Sequence, residues 1–156
     1  MQRTITRFAV DELGESTAQL DCGHTQLVRH QPPFQLRPSV LTAEDRASML
    51  GTALHCLACT RLQWPADFVA YKRTPMFTAQ SVPAGLLRDH ATKRGVWARI
   101  VVLEGELRYR ITSLAVDEVL SPHHGGIVAP EVLHSVEPQG EVQFYVEFYR
   151  AAPAHE

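Results

Sequence analysis

The C-terminal two-thirds of this 156-residue chain alternates apolar and polar positions with the period of β-strands. Residues 96–103, 106–112, 126–129 and 141–150 alternate or run β-branched and aromatic; Glu104-Gly105, the loop 121–126 and Pro138-Gln139-Gly140 separate them. Many short strands with Gly/Pro turns and scarcely any helical periodicity predict a β-sandwich or barrel. In the last strand Val142, Phe144, Val146 and Phe148 share one face, and Gln143, Tyr145, Glu147 and Tyr149 share the other. Such a strand is expected to be a wall between a hydrophobic core and a polar pocket.

The N-terminal tract has a different texture. Residues 4–10 and 17–20 read as short strands around the turn Asp11-Glu12-Leu13-Gly14. In Asp21-Cys22-Gly23-His24-Thr25 the glycine permits a tight knuckle between two potential ligands. After the breaker-rich stretch 31–38, a helix is predicted from Thr42, an N-cap with Glu44 and Asp45 in the first turn. Its apolar stripe of Met49, Leu50, Ala53 and Leu54 is expected to lead into Cys56-Leu57-Ala58-Cys59. All three cysteines precede the connector Trp64-Pro65-Ala66-Asp67. The organisation expected is therefore a small α+β domain, 1–62, and a β domain, 65–152, in a mainly β chain.

Charge narrows the function classes. The net charge is -2, and the first 60 residues carry five Arg, no Lys and six acids. Neither half has the basic excess that a phosphate backbone requires, so nucleic acid is not an expected partner. No apolar run matches a signal peptide or a membrane span, which predicts a cytoplasmic protein with no membrane partner. An odd number of cysteines in a reducing compartment points to thiols that are reduced or metal-bound.

Cys22, His24, Cys56 and Cys59 are the ligand set of a closed Cys3His structural zinc site: soft sulfur and a count of four both favour zinc. The gap between the two pairs, roughly thirty residues, exceeds that of a standard finger. A tract of about 60 residues buries too little surface to be stable comfortably alone, and a zinc ion compensates for that. His30 and His55 are the alternatives to His24, but His55 adjoins Cys56 and is expected to point elsewhere, and His30 reads as a member of a polar cluster around the site.

In the β tract, Pro130-Glu131-Val132-Leu133-His134 resembles the second motif of cupins, which sends a metal-binding histidine into the barrel. Val101-Val102-Leu103-Glu104-Gly105-Glu106-Leu107 resembles the end of the first motif, where the glycine turns one strand into the next. The first-motif ligands would fall near Thr92, Arg94 and Ala98, which are not such ligands, and the nearest histidine is His90. The barrel metal site expected is thus His90 and His134 with Glu147, enough to hold a divalent Zn2+ or Fe2+ with open positions. Arg88, Lys93 and Arg99 around it are candidates for an anionic ligand, because guanidinium forks match oxyanions. His123 and His124, in a Gly-rich loop, read as solvated.

Residues from about 65 to 150 resemble the TehB/YeaR-like cupin domain associated with tellurite resistance. The segments that carry the resemblance are Tyr71-Lys72-Arg73-Thr74-Pro75, Val82-Pro83-Ala84-Gly85-Leu86-Leu87-Arg88-Asp89-His90, Thr92-Lys93, Gly95-Val96-Trp97, Pro130-Glu131-Val132 with His134, and Phe144-Tyr145-Val146-Glu147-Phe148-Tyr149. Residues from about 11 to 60 resemble a small uncharacterised bacterial domain fused to that cupin, through Cys22-Gly23-His24, Arg29-His30, Pro32-Pro33-Phe34, Arg37-Pro38 and Cys56 with Cys59. The resemblance implies a metal-binding accessory protein in the response to tellurite, other oxyanions or related stress, binding a small anionic ligand at the histidine metal. Methyl transfer is not expected, since the chain has no Gly-rich nucleotide loop. The alternatives are a metal-dependent cupin enzyme (oxygenase, isomerase or hydrolase) and a zinc/thiol redox sensor. A homodimer is a further expectation.

Overall fold

The computed structural model describes residues 1–30, 32–33 and 36–153. Phe34, part of the N-terminal resemblance, lies outside them. The chain divides into two compact units, Met1–Ala66 and Asp67–Glu156.

The N-terminal unit is a four-stranded antiparallel sheet in the order β3-β2-β1-β4, formed by β1 (Gln2–Val10), β2 (Ser16–Leu20), β3 (Thr25–Val28) and β4 (Ala53–His55). Alternation along β2 turns Ser16, Ala18 and Leu20 inward, and Ile5, Val28, Val40 and Leu54 join that small core. Two turns were legible in the residues. Asp11-Glu12-Leu13-Gly14 closes the first hairpin, with Gly14 N–H donating to Asp11 O. The knuckle closes the second: Gly23 adopts φ +93°, and Leu20 N–H donates to His24 O.

Helix α1 (Ala43–Ser48) begins as predicted, with Thr42 Oγ1 accepting from Asp45 N–H at 3.1 Å. It does not continue to the cysteines. Gly51, at φ +84°, reverses the chain; Gly51 N–H donates to Ile5 O and Ile5 N–H donates to Thr52 O. Ala53 and Leu54 therefore enter β4 beside β1 instead of extending a helical stripe, because pairing with β1 satisfies their backbone groups. The cysteine pair follows a strand, and Cys56 caps the short helix α2 (Leu57–Thr60).

The C-terminal unit is a six-stranded, curled antiparallel sheet. Its main path is β5-β10-β7-β8, with β6 on β10 and β9 on β7. The strands are β5 (Phe68–Arg73), β6 (Phe77–Thr78), β7 (Trp97–Ile111), β8 (Val116–Leu120), β9 (Gly126–Val128) and β10 (Ser135–Ala151). Two strands expected on either side of Gly105 are one bent strand, β7. Gly105 takes φ +83° at the bend, opposite Val142, where the register with β10 shifts. No helix among the described residues is long and apolar enough to cross a membrane.

Register explains the concave face. Phe144 lies opposite Val102 and Phe77, Val146 opposite Ile100, and Phe148 opposite Ala98 and Lys72. Directly opposed residues share a face, so these side chains gather on one side of the sheet. The expectation of a polar pocket is corrected here: the cavity lies on the apolar face, and Tyr145, Glu147 and Tyr149 point the other way.

Candidate functional sites

Cys22 and His24 sit on the β2–β3 knuckle, and Cys56 and Cys59 at the β4–α2 junction. Pairing of β1 with both β2 and β4 brings these distant segments together. His24 Nδ1 lies 3.4 Å from Cys22 Sγ and 3.5 Å from the sulfurs of Cys56 and Cys59. Cys22 and Cys56 Sγ are 3.9 Å apart, and all four candidate ligand atoms lie within 4.8 Å of one another. For a four-coordinate ion with Zn–S of about 2.3 Å and Zn–N of about 2.05 Å, tetrahedral edges are about 3.8 Å for S–S and about 3.6 Å for S–N. The observed separations fit those edges.

All four residues are buried. His24 Nε2 lies 2.7 Å from Gln63 O, and a carbonyl only accepts. Nε2 therefore carries a proton, and Nδ1 is the nitrogen that faces the sulfurs. The proton-sharing pattern without a metal reflects the crowding. Hydrogen bonds with Cys56 and Cys59, then burial, push the Cys22 thiol up; those with Cys22 and Cys59 hold Cys56 well down. Burial opposes the imidazolium of His24, but the bonds from Cys56 and Cys59 outweigh it and raise His24 to about 10. A metal replaces this shared proton set with one multivalent partner.

Arg3 is part of the site, and the sequence reading passed over it. Only 5% exposed, it donates from Nε to Cys59 Sγ at 3.3 Å. Three thiolates on a divalent ion leave one net negative charge, which a buried guanidinium offsets. The available signal was an arginine on the same inward face of a strand as Ile5. His30 and His55 take no part: His30 Nδ1 accepts from Arg37 N–H at 2.9 Å, and His55 Nδ1 lies 2.6 Å from the Met1 amine.

The second site lies in the C-terminal unit. His90 and His134 exchange backbone hydrogen bonds as an isolated antiparallel pair, His90 N–H to His134 O at 3.0 Å and His134 N–H to His90 O at 2.9 Å. That pairing sets the imidazoles side by side, with centroids 4.1 Å apart and planes inclined at 53°. Each Nδ1 lies 2.9 Å from the carbonyl two residues back, Arg88 O for His90 and Val132 O for His134. Carbonyls only accept, so both Nδ1 atoms are protonated and both Nε2 atoms are lone-pair acceptors in the neutral rings. Burial pushes His134 down to about 4, which keeps it neutral near pH 7. The two rings line a cavity of about 560 Å³.

Glu147 does not join them. It is absent from the cavity lining and accepts from Tyr149 Oη at 2.6 Å and from Arg73 Nη2 at 2.7 Å. Among the described residues the cysteine cluster is the one group of three or more ligand-type side chains close enough for a metal. Alternation is the reason: Glu147 shares a strand with Val146 and Phe148 but faces away from them. Of the proposed ligand-binding cations only Lys93 lines the cavity. Arg99 is exposed and stands over the Tyr149 ring, and the Arg88 side chain is exposed. Lys72 lines the cavity as well. His123 is exposed, and His124 Nε2 lies 3.3 Å from Glu118.

The Glu147 network carries a pH prediction. Tyr149, then Arg73, holds its carboxyl below the ordinary range of about 4.3. A depressed folded-state value adds stability above the unfolded value that is lost as pH falls through the folded one. In urea titrations, Glu147→Gln is expected to cost the C-terminal unit at most about 1 kcal/mol at pH 7 and less at pH 3. An equal cost at both values would remove the electrostatic account.

Residues 72–146 match the model of the TehB-like domain, and residues 6–63 match a protein family of unknown function (DUF3565). A probable S-adenosyl-L-methionine-dependent methyltransferase TehB from Haemophilus influenzae is 30% identical over 76 residues, 46% of this chain and 27% of that protein. The uncharacterized protein YeaR of Escherichia coli (strain K12) is 28% identical over 100 residues, 58% of this chain and 84% of that one. The C-terminal unit is similar to the TehB/YeaR-like family. The crystal structure of TehB from Haemophilus influenzae matches the chain with a TM-score of 0.51 at 26% identity, covering 55% of this chain and 32% of that one. A crystal structure of a protein from Escherichia coli (strain K12) matches with a TM-score of 0.55 at 22% identity, covering 60% and 92%, a likeness of fold. The chain thus spans about a quarter of the TehB methyltransferases it matches, and the TehB-like unit and the cysteine cluster fall in separately matched parts.

Proposed function

We propose that the chain is a metal-binding accessory protein: zinc clasps the N-terminal unit, and the TehB-like unit, a cupin-type barrel, binds a small anionic ligand in the cavity that His90 and His134 line. The observation that carries the metal reading is the buried convergence of three sulfurs and one imidazole nitrogen at tetrahedral spacings. The TehB likeness supports a role in the response to tellurite, related oxyanions or allied stress. A closed four-ligand site stabilises but leaves no position for substrate, which favours a structural role for that zinc.

Elemental analysis of the purified native protein tests this. One zinc per chain is expected in the wild type and in His134→Ala, and none in Cys56→Ser. A wild type with no stoichiometric metal would sink the proposal.

A second reading, a metal-dependent enzyme, is favoured by the two lone-pair Nε2 atoms of His90 and His134, which could hold zinc or iron with several open positions. It requires a second metal equivalent that His134→Ala removes, together with turnover of a small molecule.

A further inference from the structure

We propose that the cavity of the C-terminal unit takes a planar, hydroxyl-bearing aromatic acid, its hydroxyl donating to His90 and His134 and its carboxylate lying at the lysine rim. The proposal rests on the reading that this cavity is a ligand site, and names the class of ligand. Three observations carry it.

The first is the wall. Phe77, Phe144 and Phe148 line a space of about 560 Å³ together with aliphatic side chains from β7, β9 and β10. Phe77 and Phe144 meet edge to face, with centroids 5.6 Å apart. Such a volume belongs to small organic ligands, whereas a compact inorganic oxyanion would lose its water to a largely apolar lining.

The second is the polar end. Both Nδ1–H groups are committed to backbone carbonyls, so the nitrogens left to a ligand are acceptors. A carboxylate or oxyanion has no proton to offer them, but a hydroxyl does.

The third is the sign of charge. Lys72 and Lys93, both exposed, are the charged side chains on the lining, and no acid lines it among the described residues. An amine would satisfy the imidazoles but meet those lysines; an acid at the outer end matches them.

Isothermal titration of the zinc-loaded full chain with 4-hydroxycinnamate, cinnamate, 4-hydroxyphenethylamine and tellurite separates the possibilities. Binding of 4-hydroxycinnamate is expected to be about tenfold tighter than that of cinnamate, the effect of one buried hydrogen bond. His134→Phe should erase the difference between those two ligands, and K72Q/K93Q should erase the preference for 4-hydroxycinnamate over the amine. The wild-type comparison stands even if a variant fails to fold. Equal binding of cinnamate, or preference for the amine, overturns the proposal. Saturable tellurite binding with no aromatic binding also overturns it while leaving the ligand-site reading intact; binding of none of the four ends both.

Discussion

On the zinc-clasp reading, a strong chelator is expected to unfold the N-terminal unit. A structural zinc contributes on the order of 10 kcal/mol, comparable to the whole stability of a small domain, roughly 5–15 kcal/mol. The N-terminal unit has little else to offset the loss. Its apolar core rests on Ile5, Ala18, Leu20, Val28, Val40 and Leu54, and the cysteines themselves form its centre. Without the ion, Cys22, His24, Cys56 and Cys59 are buried beside Arg3 with protons to share and no common partner. Cys56→Ser should reproduce the effect. Hydrogen exchange checks it segment by segment: amides of β1 and β2 should lose protection in both cases, while those of β7 and β10 keep theirs. Retained protection in β1 and β2 after metal removal would show the cluster to be dispensable for folding.

Gly105→Ala is the second large effect, and it falls on the other unit. At φ +83° an L side chain is already strained, and an added Cβ would collide with Glu141 O and stand 3.0 Å from Val142 Cα. The neighbours are backbone of β10, which cannot rotate aside as a flexible side chain would. Relief requires parting β7 from β10 where Val142 pairs with Gly105. A loss of about 3 kcal/mol or more is expected in denaturant titrations, above the usual 0.5–3 kcal/mol range of single substitutions. Gly140→Ala is the control: its φ is +82°, but nothing lies near its Cβ, so only the strain of about 1–2 kcal/mol should appear. Similar losses for the two variants would refute the steric account.

Much of the cysteine–histidine cluster was legible in the residues, because side-chain chemistry is local. Sulfur and imidazole in C-G-H and C-x-x-C spacing announce a site whatever route the chain takes between them. Strand periodicity was legible for the same reason, since alternation on β2 and β10 is a property of consecutive residues. The helix from Thr42 was legible only at its start. Its cap is local, but its end depends on Gly51 meeting Ile5, a partner far along the chain.

What the linear order alone determined was which side chains can do chemistry and which share a strand face. Tertiary structure alone decided which of those faces closes on a cavity. Glu147 was assigned to the histidines because its face is polar, yet the curl of the sheet encloses the apolar face and leaves Glu147 to Arg73 and Tyr149. The same closure, together with the backbone pairing of His90 with His134, set the imidazoles side by side with each Nδ1 tied to a backbone carbonyl. Alternation says that two faces exist, but only the packing of the whole sheet, driven by burial of apolar area, selects the inner one.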